Sequence, residues 1–371
     1  MLLMLAATSL AGCTLRAGPR LVPPGTESAA WRAAGPYRVA SRSLVLDDTA
    51  HGRRLASTVW WPEGRTTPAP LVVQVHGFLG NRRGQAYVAR HLASRGMIVI
   101  AATHPTTARF MRGGAKVEDV VRQPGDVRFL IDVMLAPDRR MLAPEARLRG
   151  VPPVDAGRIA VMGHSLGGLT ATLAAFHPRL RDPRIAAAIS IAGPMAMFEP
   201  RFFAGTTVPF LMIGGSADVV VDYRRNALGT LARIPDATVV LLAGASHAGF
   251  DDAVMGFRRF VANPDVFTCC ILRRVLHLDA AVARVRALAA QNEGIDFTNG
   301  IHPPCLDPPP PDAMDPAWQH VLTTLAVAAF LESRFAPDAA ARVRAQRYLT
   351  VAMPRELPQV SVAAPAAAIR R

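Results

Sequence analysis

The sequence has few cysteines, few aromatic residues and few acidic residues. Its 371 residues include only four cysteines, and aromatic residues make up 6%. Acidic residues are also scarce, because 28 Asp and Glu stand against 42 Lys and Arg, which gives a formal net charge of +14. The arginines are scattered and form no tract interleaved with aromatic residues. This pattern argues against nucleic-acid binding and favours a solvated basic surface, with attraction to an anionic membrane as the alternative.

Motifs for metal and nucleotide binding are missing as well. The chain has no His-Glu-x-x-His, no Walker loop and no Gly-x-Gly-x-x-Gly. These patterns supply the ligands of zinc sites and the phosphate-binding turns of nucleotide sites. We therefore expect chemistry that needs no metal and no cofactor.

The N-terminus carries only a short apolar stretch. Residues 2–10 are too few to cross a bilayer, and small residues follow them, which is typical of a secretory signal with a processing site. Leu10-Ala11-Gly12-Cys13 resembles a bacterial lipobox and predicts a signal peptide over 1–12 with lipidation of Cys13. Residues 13–36, rich in Pro, Gly and Ala, would then be a tether outside the fold. Cleaved secretion without a lipid and an ordinary buried start are the alternatives.

Strand and helix patterns alternate through the middle of the chain. Two β patterns, at 37–48 and 53–63, predict an antiparallel pair. After them, buried strands are predicted at 70–78, 97–105, 158–162, 185–193, 208–215 and 237–244, and helices at 83–95, 124–136, 166–175, 222–233, 248–261 and 318–335. Half of the residues are hydrophobic, which suffices for a large core. The alternation predicts an α/β fold with a mostly parallel sheet of about eight strands and helices on both faces.

The alternation stops after residue 262. Residues 262–314 contain three of the four cysteines and the proline-rich run HPPCLDPPPPD, which predicts an insertion within a domain spanning 37–335. Residues 336–371 are rich in Ala and Pro and predict a C-terminal tail.

The stretch GHSLGG, residues 163–168, joins a buried strand pattern directly to an Ala/Leu-rich helix pattern. A serine on so tight a turn is held in a strained backbone conformation, so the positions two before and two after it must lack bulk. Gly163 and Gly167 occupy those positions around Ser165. The motif is a nucleophile elbow and predicts that Ser165 is the nucleophile.

A serine hydroxyl needs a base to remove its proton, and the base needs an orienting carboxylate. On this kind of fold the acid and the histidine follow the serine, on loops after later strands. Asp218 lies three residues past the predicted strand end at Gly215, and His247 follows the next strand. We therefore predict Asp218 as the acid, with Asp222 as the alternative, and His247 as the base.

The negative charge that develops on the substrate carbonyl oxygen needs two amide donors. The amide of Leu166, directly after the nucleophile, is one candidate. The other should come from the loop after the strand VVQVHG, and we assign it to the amide of Phe78. His76 precedes that loop and is expected to be structural.

On these motifs the chain resembles the serine α/β-hydrolase superfamily, from about residue 40 to 262 and again over 318–335. Within it, residues 101–105 and 122–135 resemble the branch of platelet-activating-factor acetylhydrolase-like and dienelactone-hydrolase-like proteins. The resemblance implies no large cap domain, since only 193–207 is available where such caps are often inserted. Apolar residues of that segment could contact the acyl group or pack in the core; they are Met195, Met197, Phe198, Phe202 and Phe203.

The resemblance implies a hydrolase that cleaves carboxylic esters through an acyl-enzyme on Ser165, of carboxylesterase or lipase-like type. Its substrate would be a small-molecule or lipid ester. The N-terminal lipobox predicts a location in the bacterial envelope, lipid-anchored in the periplasm or outer membrane, with secretion into the medium as the alternative. Because the fold does not determine the acyl acceptor, a peptidase, a thioesterase or an acyl transferase with the same triad stays open. A noncatalytic lipid-binding protein is the further alternative.

An exported chain meets an oxidising environment, which favours a disulfide. If Cys13 is lipidated, three thiols remain, at Cys269, Cys270 and Cys305. Adjacent cysteines pair with each other only through a strained ring, so we predict that Cys305 bonds to Cys269 or to Cys270.

Overall fold

The computed structural model describes residues 22–109, 114–136, 148–256, 260–275, 283, 293–296, 304–305 and 310–364. The strands are β1 (Val39–Asp48), β2 (Arg53–Pro62), β3 (Ala69–Val75), β4 (Ile98–Thr103), β5 (Val154–His164), β6 (Ile185–Ile191), β7 (Phe210–Gly215), β8 (Ala237–Leu242) and β9 (Val360–Ala363). They form one nine-stranded sheet in the order β1-β2-β4-β3-β5-β6-β7-β8-β9.

The sheet is parallel from β3 to β8 and antiparallel at both edges. β1 pairs with β2, and β2 with β4, in antiparallel register. At the opposite edge β9 pairs antiparallel with β8. The predicted mixed α/β fold with a mostly parallel sheet is confirmed. The ninth strand comes from the C-terminal residues, which contain no strand in the prediction.

Helices cover both faces of the sheet. They are α1 (Glu27–Arg32), α2 (Ala86–Ser94), α3 (Gln123–Leu135), α4 (Leu166–Phe176), α5 (Tyr223–Asn226), α6 (Thr230–Arg233), α7 (Asp265–Val275), α8 (Pro316–Phe335), α9 (Ala339–Arg347) and α10 (Met353–Glu356). Successive strand residues point to opposite faces. In β3, Val73 therefore packs in the cluster that contains residues of α3 and α4, while Val72 packs in the cluster that contains residues of α2 and α8. Two apolar cores result, one on each face.

Two predicted helices are shorter than expected. The prediction over 222–233 becomes α5 and α6, because the chain turns at Gly229 between them. The prediction over 248–261 becomes two 3₁₀ helices, Ala248–Phe250 and Asp252–Gly256, separated by the extended residue Asp251. Residues 257–259 lie outside the described residues.

The predicted C-terminal tail is wrong as far as residue 364. Asp338 accepts a hydrogen bond from the amide of Ala341 (2.7 Å) and begins α9, and a π-helical turn over Tyr348–Ala352 leads into α10. β9 then completes the edge of the sheet. The alanine-rich sequence is a good helix former, and Tyr348, Leu349 and Met353 are buried against the domain. Residues 365–371 lie outside the described residues.

The predicted tether is also wrong for residues 22–36. Thr26 caps α1, and the Trp31 ring stacks on Tyr348 with ring centroids 4.8 Å apart. The amide of Ser28 donates to Glu356 (2.8 Å), which fastens this N-terminal helix to α10. Cys13 and the predicted signal peptide lie outside the described residues. Within the described part of the chain, no helix combines the length and the apolar character needed to span a bilayer.

The predicted insertion contains α7 and a disulfide. Cys269, on α7, is bonded to Cys305, with Cα atoms 5.6 Å apart. This is one of the two pairings that the sequence left open, and Cys270 is a free, exposed cysteine. The rest of 262–314 is described only in part.

Candidate active site

Ser165 lies on the turn between β5 and α4, at the carboxyl ends of the central parallel strands. Its backbone φ is +53°, a left-handed value that is unusual for a residue other than glycine. A Cβ at Gly163 would meet the backbone of Gly167, and a Cβ at Gly167 would meet the carbonyl of Val75. The two glycines around Ser165 are therefore required by close backbone contacts, as the elbow motif predicts.

The three residues of the predicted triad meet at the ends of three strands. Ser165 Oγ lies 2.8 Å from His247 Nε2. His247 Nδ1 lies 2.8 Å from Asp218 Oδ2. Asp218 follows β7 and His247 follows β8. Because β5, β7 and β8 are parallel, both side chains lie at the carboxyl ends of the strands, where β5 also ends. With the proton on Nδ1, the imidazole donates to Asp218 and accepts from the Ser165 hydroxyl.

The second oxygen of Asp218 is held by its own loop. Oδ1 accepts from the amides of Val220 (2.8 Å) and Val221 (2.7 Å), so the carboxylate is fixed with Oδ2 toward the histidine. Asp222, the alternative acid, instead accepts from the amide of Arg225 (2.9 Å) and caps α5. Its carboxylate has a local structural role.

His247 is buried, with 4% of its surface exposed. Burial by itself lowers its pKa, but the charge of Asp218 and the hydrogen bond to it, with the charges of Asp265 and Asp251, outweigh burial and raise the pKa above the ordinary value. On its other side His247 contacts the ring of His164 (centroids 4.7 Å apart), whose pKa is held well below its usual range by burial and by His247. The site thus surrounds one basic imidazole with carboxylates and one neutral imidazole.

The loop after β3 lies directly against the elbow. A Cβ at Gly77 would come within 3.1 Å of Ser165 Cβ, so the loop backbone passes beside the nucleophile. Leu79 donates to Thr107 O (2.8 Å), which ties the loop to the segment after β4. Among the hydrogen bonds of the described residues, the amides of Phe78 and Leu166 have no acceptor. Neither candidate donor is therefore committed to another group within the described residues.

A series of hydrogen-bonded, buried polar groups supports the loop after β3 from the protein interior. His76 Nδ1 lies 2.7 Å from Gly77 O, and His76 Nε2 accepts from the amide of His104 (2.9 Å). His104 Nδ1 in turn lies 2.7 Å from Asp126, which also pairs with Arg53. Burial, and next the charge of His104, lower the pKa of His76 to about 3, so it stays neutral at physiological pH. His76 is structural, as predicted, and the role of Asp126 was not predicted.

Asp265 and Asn263 were not predicted either, although Asp265 is hydrogen-bonded to the backbone of His247 and Asn263 to that of Asp265. The Asp265 carboxylate accepts from the backbone amides of His247 (3.0 Å) and Ala248 (2.7 Å) and from that of Val219 (3.2 Å). Asn263 accepts from the amide of Asp265 (2.9 Å). The available signal was Asn-Pro-Asp ahead of a helix, a start pattern that indicates a helix cap and not a connection to a distant site.

The apolar cluster after β6 belongs mainly to the core. Phe202 and Phe203 are about 1% exposed, Phe198 is 2% exposed and Met195 is fully buried. The three phenylalanine rings pack on one another, and Phe203 packs on Phe176. The burial of these four residues favours the core alternative, and Phe202 and Phe203 lie in the 3₁₀ turn Pro200–Phe203. Met197 is partly buried at the margin of the cluster.

Metal-binding groups are not clustered in the described residues. In that part of the chain, no three side chains of His, Cys, Asp or Glu lie close enough together to hold an ion.

Comparison with known proteins finds similarity to a PET hydrolase-like family, to cutinases and to a terephthalate ester hydrolase. Residues 17–263 match the PET hydrolase-like family. Cutinase est2 of Thermobifida alba is 27% identical over 230 residues, 61% of this chain and 67% of that enzyme, and the cutinase of Thermobifida fusca strain YX is 25% identical over 279 residues, 71% and 83%. A bis(hydroxyethyl) terephthalate hydrolase of Streptomyces coelicolor is 28% identical over 222 residues, 58% of this chain and 61% of that enzyme.

Proposed function

Because this chain belongs to the PET hydrolase-like family and is a serine hydrolase of carboxylic esters, we propose that Ser165, His247 and Asp218 are its catalytic triad. The single observation that carries the proposal is the continuous hydrogen-bonded chain from Ser165 Oγ through His247 to Asp218, with the serine on a strained elbow. An accidental serine–histidine contact would not require a left-handed backbone at the serine.

The proposed reaction has two halves. In the first, Ser165 Oγ attacks the ester carbonyl carbon while His247 Nε2 takes the hydroxyl proton, and the same proton then passes to the departing alcohol oxygen. The product of this half is an ester between the acyl group and Oγ. In the second half, His247 Nε2 takes a proton from water, the hydroxide oxygen attacks the acyl carbon, and the acid leaves as the proton returns to Ser165. Asp218 keeps the imidazole in the tautomer that both halves need.

We assign the oxyanion donors to the amides of Phe78 and Leu166. Both flank Ser165, one on the loop after β3 and one at the start of α4, and neither has an acceptor within the described residues. Donors fixed in the backbone need no reorganisation when negative charge develops on the carbonyl oxygen. Thr107 and the buried His76 support the first of these two donors.

The proposed substrates are esters of the kind that the relatives' names indicate. Those relatives are cutinases and a bis(hydroxyethyl) terephthalate hydrolase. The connection from β6 to β7 contains one 3₁₀ turn, Pro200–Phe203, and its aromatic residues are packed inward, which favours an open site over one closed by a cap. The finer resemblance to the platelet-activating-factor acetylhydrolase-like and dienelactone-hydrolase-like branch stays a prediction.

We also propose that the chain is exported and anchored to the envelope through a lipid on Cys13. The support is the lipobox-like Leu10-Ala11-Gly12-Cys13 and the disulfide between Cys269 and Cys305, which suits an oxidising compartment. In a bacterium that processes lipoproteins, the native chain should enter the membrane fraction and incorporate labelled palmitate. The Cys13→Ser variant should lose both, and palmitate incorporation that survives this change would refute the anchor.

The triad is tested by substitution and by an active-site probe. Ser165→Ala and His247→Ala should lower kcat by about 10⁶-fold, and Asp218→Ala somewhat less. A fluorophosphonate probe should label the wild type and not Ser165→Ala. Equal labelling of both proteins would rule out Ser165 as the nucleophile.

A panel of chromogenic substrates distinguishes the reaction classes that the fold leaves open. Matched oxygen esters, thioesters and anilides of one acyl group should show kcat/KM highest for the oxygen ester. A preference for the thioester or the anilide would indicate a thioesterase or a peptidase instead.

A further inference from the structure

We propose that Asp265 is a positioning residue for the triad, whose carboxylate holds the loop of the acid and the loop of the histidine together. This inference rests on the proposed function of Ser165, His247 and Asp218. Asp265 lies in the segment 262–314, outside the alternating strands and helices that build the sheet.

The Asp265 carboxylate connects the two loops through backbone groups. Oδ2 accepts from the amide of Val219, next to Asp218, and from the amide of His247 itself, at 3.2 and 3.0 Å. Oδ1 accepts from the amide of Ala248 at 2.7 Å. One side chain thus holds the backbone of both loops directly at the residues that carry the chemistry, and a shift of either loop would stretch a hydrogen bond to the other.

Asn263 forms a second layer behind Asp265. Its Oδ1 accepts from the Asp265 amide, and its Nδ2 donates to the carbonyls of Ala217 and Pro311, each at 2.9 Å. Ala217 directly precedes Asp218 and Val219 directly follows it. Hydrogen bonds from Asn263 and to Asp265 therefore hold the backbone on both sides of Asp218. The disulfide adds a covalent link, because Cys269 lies one turn after Asp265 and Cys305 donates its amide to Val219 O (2.8 Å).

The ionised carboxylate is the form that accepts all three amide hydrogens without a donor of its own, and it is held at neutral pH although burial and the charge of Asp218 raise the pKa of Asp265 to about 6. Asp265 is fully buried, and its two oxygens receive three amide hydrogens. A carboxamide has one accepting oxygen, so its NH₂ group would face at least one backbone N–H. The carboxylate also contributes to the charges around the imidazole. The charged and titratable groups facing His247 are Asp218, Asp251, Asp265 and His164.

The test compares Asp265→Asn with Asp182→Asn in the full chain, using p-nitrophenyl butyrate as substrate. Asp182 is the matched control, because it is another buried carboxylate (3% exposed) that accepts a backbone amide, from Arg184 at 3.0 Å, but it precedes β6 at the far ends of the strands. We expect Asp265→Asn to lower kcat/KM by about 10²-fold, mainly through kcat, since small displacements of reacting groups have effects of this size. Asp182→Asn should lower the melting temperature while leaving kcat/KM within about threefold.

The pH profile separates positioning from general weakening of the fold. The Asp265 charge favours the protonated imidazole, so Asp265→Asn should move the acid limb of kcat/KM to lower pH. Asn263→Ala keeps that charge and should lower kcat without moving the limb. If Asp265→Asn does not fold at the assay temperature, Asn263→Ala decides: a loss of kcat supports the inference, and a wild-type kcat overturns it.

The outcomes also separate this inference from the proposed function. If the wild type is not labelled by the fluorophosphonate probe, the triad assignment fails. If the wild type is labelled and active, and folded Asp265→Asn keeps wild-type kcat/KM and acid limb, the positioning role of Asp265 is refuted while the triad stands.

Discussion

The proposed nucleophile, Ser165, and its two proposed partners, Asp218 and His247, are held in position by different means. The elbow, residues 163–168, is fixed by backbone packing between β5 and α4, where side chains larger than hydrogen do not fit at Gly163 or Gly167. The acid loop, residues 216–222, and the histidine loop, residues 243–251, are held by side-chain hydrogen bonds from Asp265 and Asn263. The elbow is therefore held by the packing of strand and helix backbones, whereas the two loops also depend on side chains from a segment outside the sheet.

The difference indicates where the site can be weakened without unfolding the domain. Backbone atoms cannot be changed one at a time by mutation, and any side chain added at these glycines would push apart the packed core. Substitutions in the elbow therefore destabilise the whole domain. Besides direct hydrogen bonds between the loops, such as that from the Ala217 amide to Ala245 O, the loops are supported by a carboxylate, an amide and a nearby disulfide, and each of these three can be removed singly. The substitutions below exploit this contrast, beginning with the one of largest expected effect.

Gly163→Ala should have the largest effect, because its new Cβ would overlap the backbone of Gly167 and Gly168. We expect the free energy of unfolding to fall by about 4 kcal/mol or more, with loss of fluorophosphonate labelling. The measurement is denaturant unfolding followed by tryptophan fluorescence. Gly125→Ala is the matched control, since nothing lies within 4 Å of that Cβ and its helical position in α3 predicts a gain of about 0.5 to 1 kcal/mol. An elbow variant as stable as the control would contradict the packing argument.

Removal of the disulfide should have the next largest effect. Cys269→Ser with Cys305→Ser opens a loop of 36 residues, which in the chain-entropy model lowers the free energy of unfolding by about 4 kcal/mol. Because Cys305 contacts the acid loop, kcat should fall as well. Cys270→Ser is the control and should change neither quantity, since that thiol is free and exposed. Equal melting temperatures for the double variant and the wild type would show that the bridge does not stabilise the fold.

The sequence predicts the elbow and the central strands well, and it predicts the supports of the two loops poorly. β3 to β8 and the elbow are specified locally, by apolar runs and by glycines at fixed offsets, and the three residues predicted from the sequence, Ser165, Asp218 and His247, lie within hydrogen-bond distance of one another. Asp265 could not be predicted, because its hydrogen bonds reach 17 to 46 residues back along the chain and carry no periodic signal. The N-terminal and C-terminal segments were mispredicted for a related reason: α1 and α10 gain their stability from each other through Glu356, a contact between the two ends of the chain.

Replacing Asp222 should have a smaller effect that separates it from Asp218. Asp222→Ala removes the N-cap of α5 and should lower the free energy of unfolding by about 1 kcal/mol, with kcat within about twofold of the wild type. Asp218→Ala should instead lower kcat by several orders of magnitude. Thermal unfolding and steady-state kinetics on both variants check this pair. A large loss of kcat in Asp222→Ala, with a small loss in Asp218→Ala, would show that Asp222 and not Asp218 is the acid of the triad.

The smallest expected effect is in the pH dependence of kcat/KM, where the midpoint of the acid limb should be displaced. His247 must be neutral to accept the serine proton, and despite burial the charge of Asp218 raises its pKa above the ordinary 6.5. The raised pKa keeps the imidazole protonated to higher pH, so the acid limb of kcat/KM should have its midpoint above pH 6.5. Initial rates in overlapping buffers of constant ionic strength measure it. A midpoint below 6.5 would show that burial outweighs the carboxylates around the imidazole.

The central claim is that an acyl group passes through Ser165, and trapping that intermediate tests it most directly. The wild type is mixed with excess p-nitrophenyl butyrate, quenched in acid within the first turnover, and analysed by intact and peptide mass spectrometry. We predict one butyryl group per chain, on the peptide that contains Ser165, and none on Ser165→Ala. A butyryl group on another residue, or an equal amount on Ser165→Ala, would contradict the account.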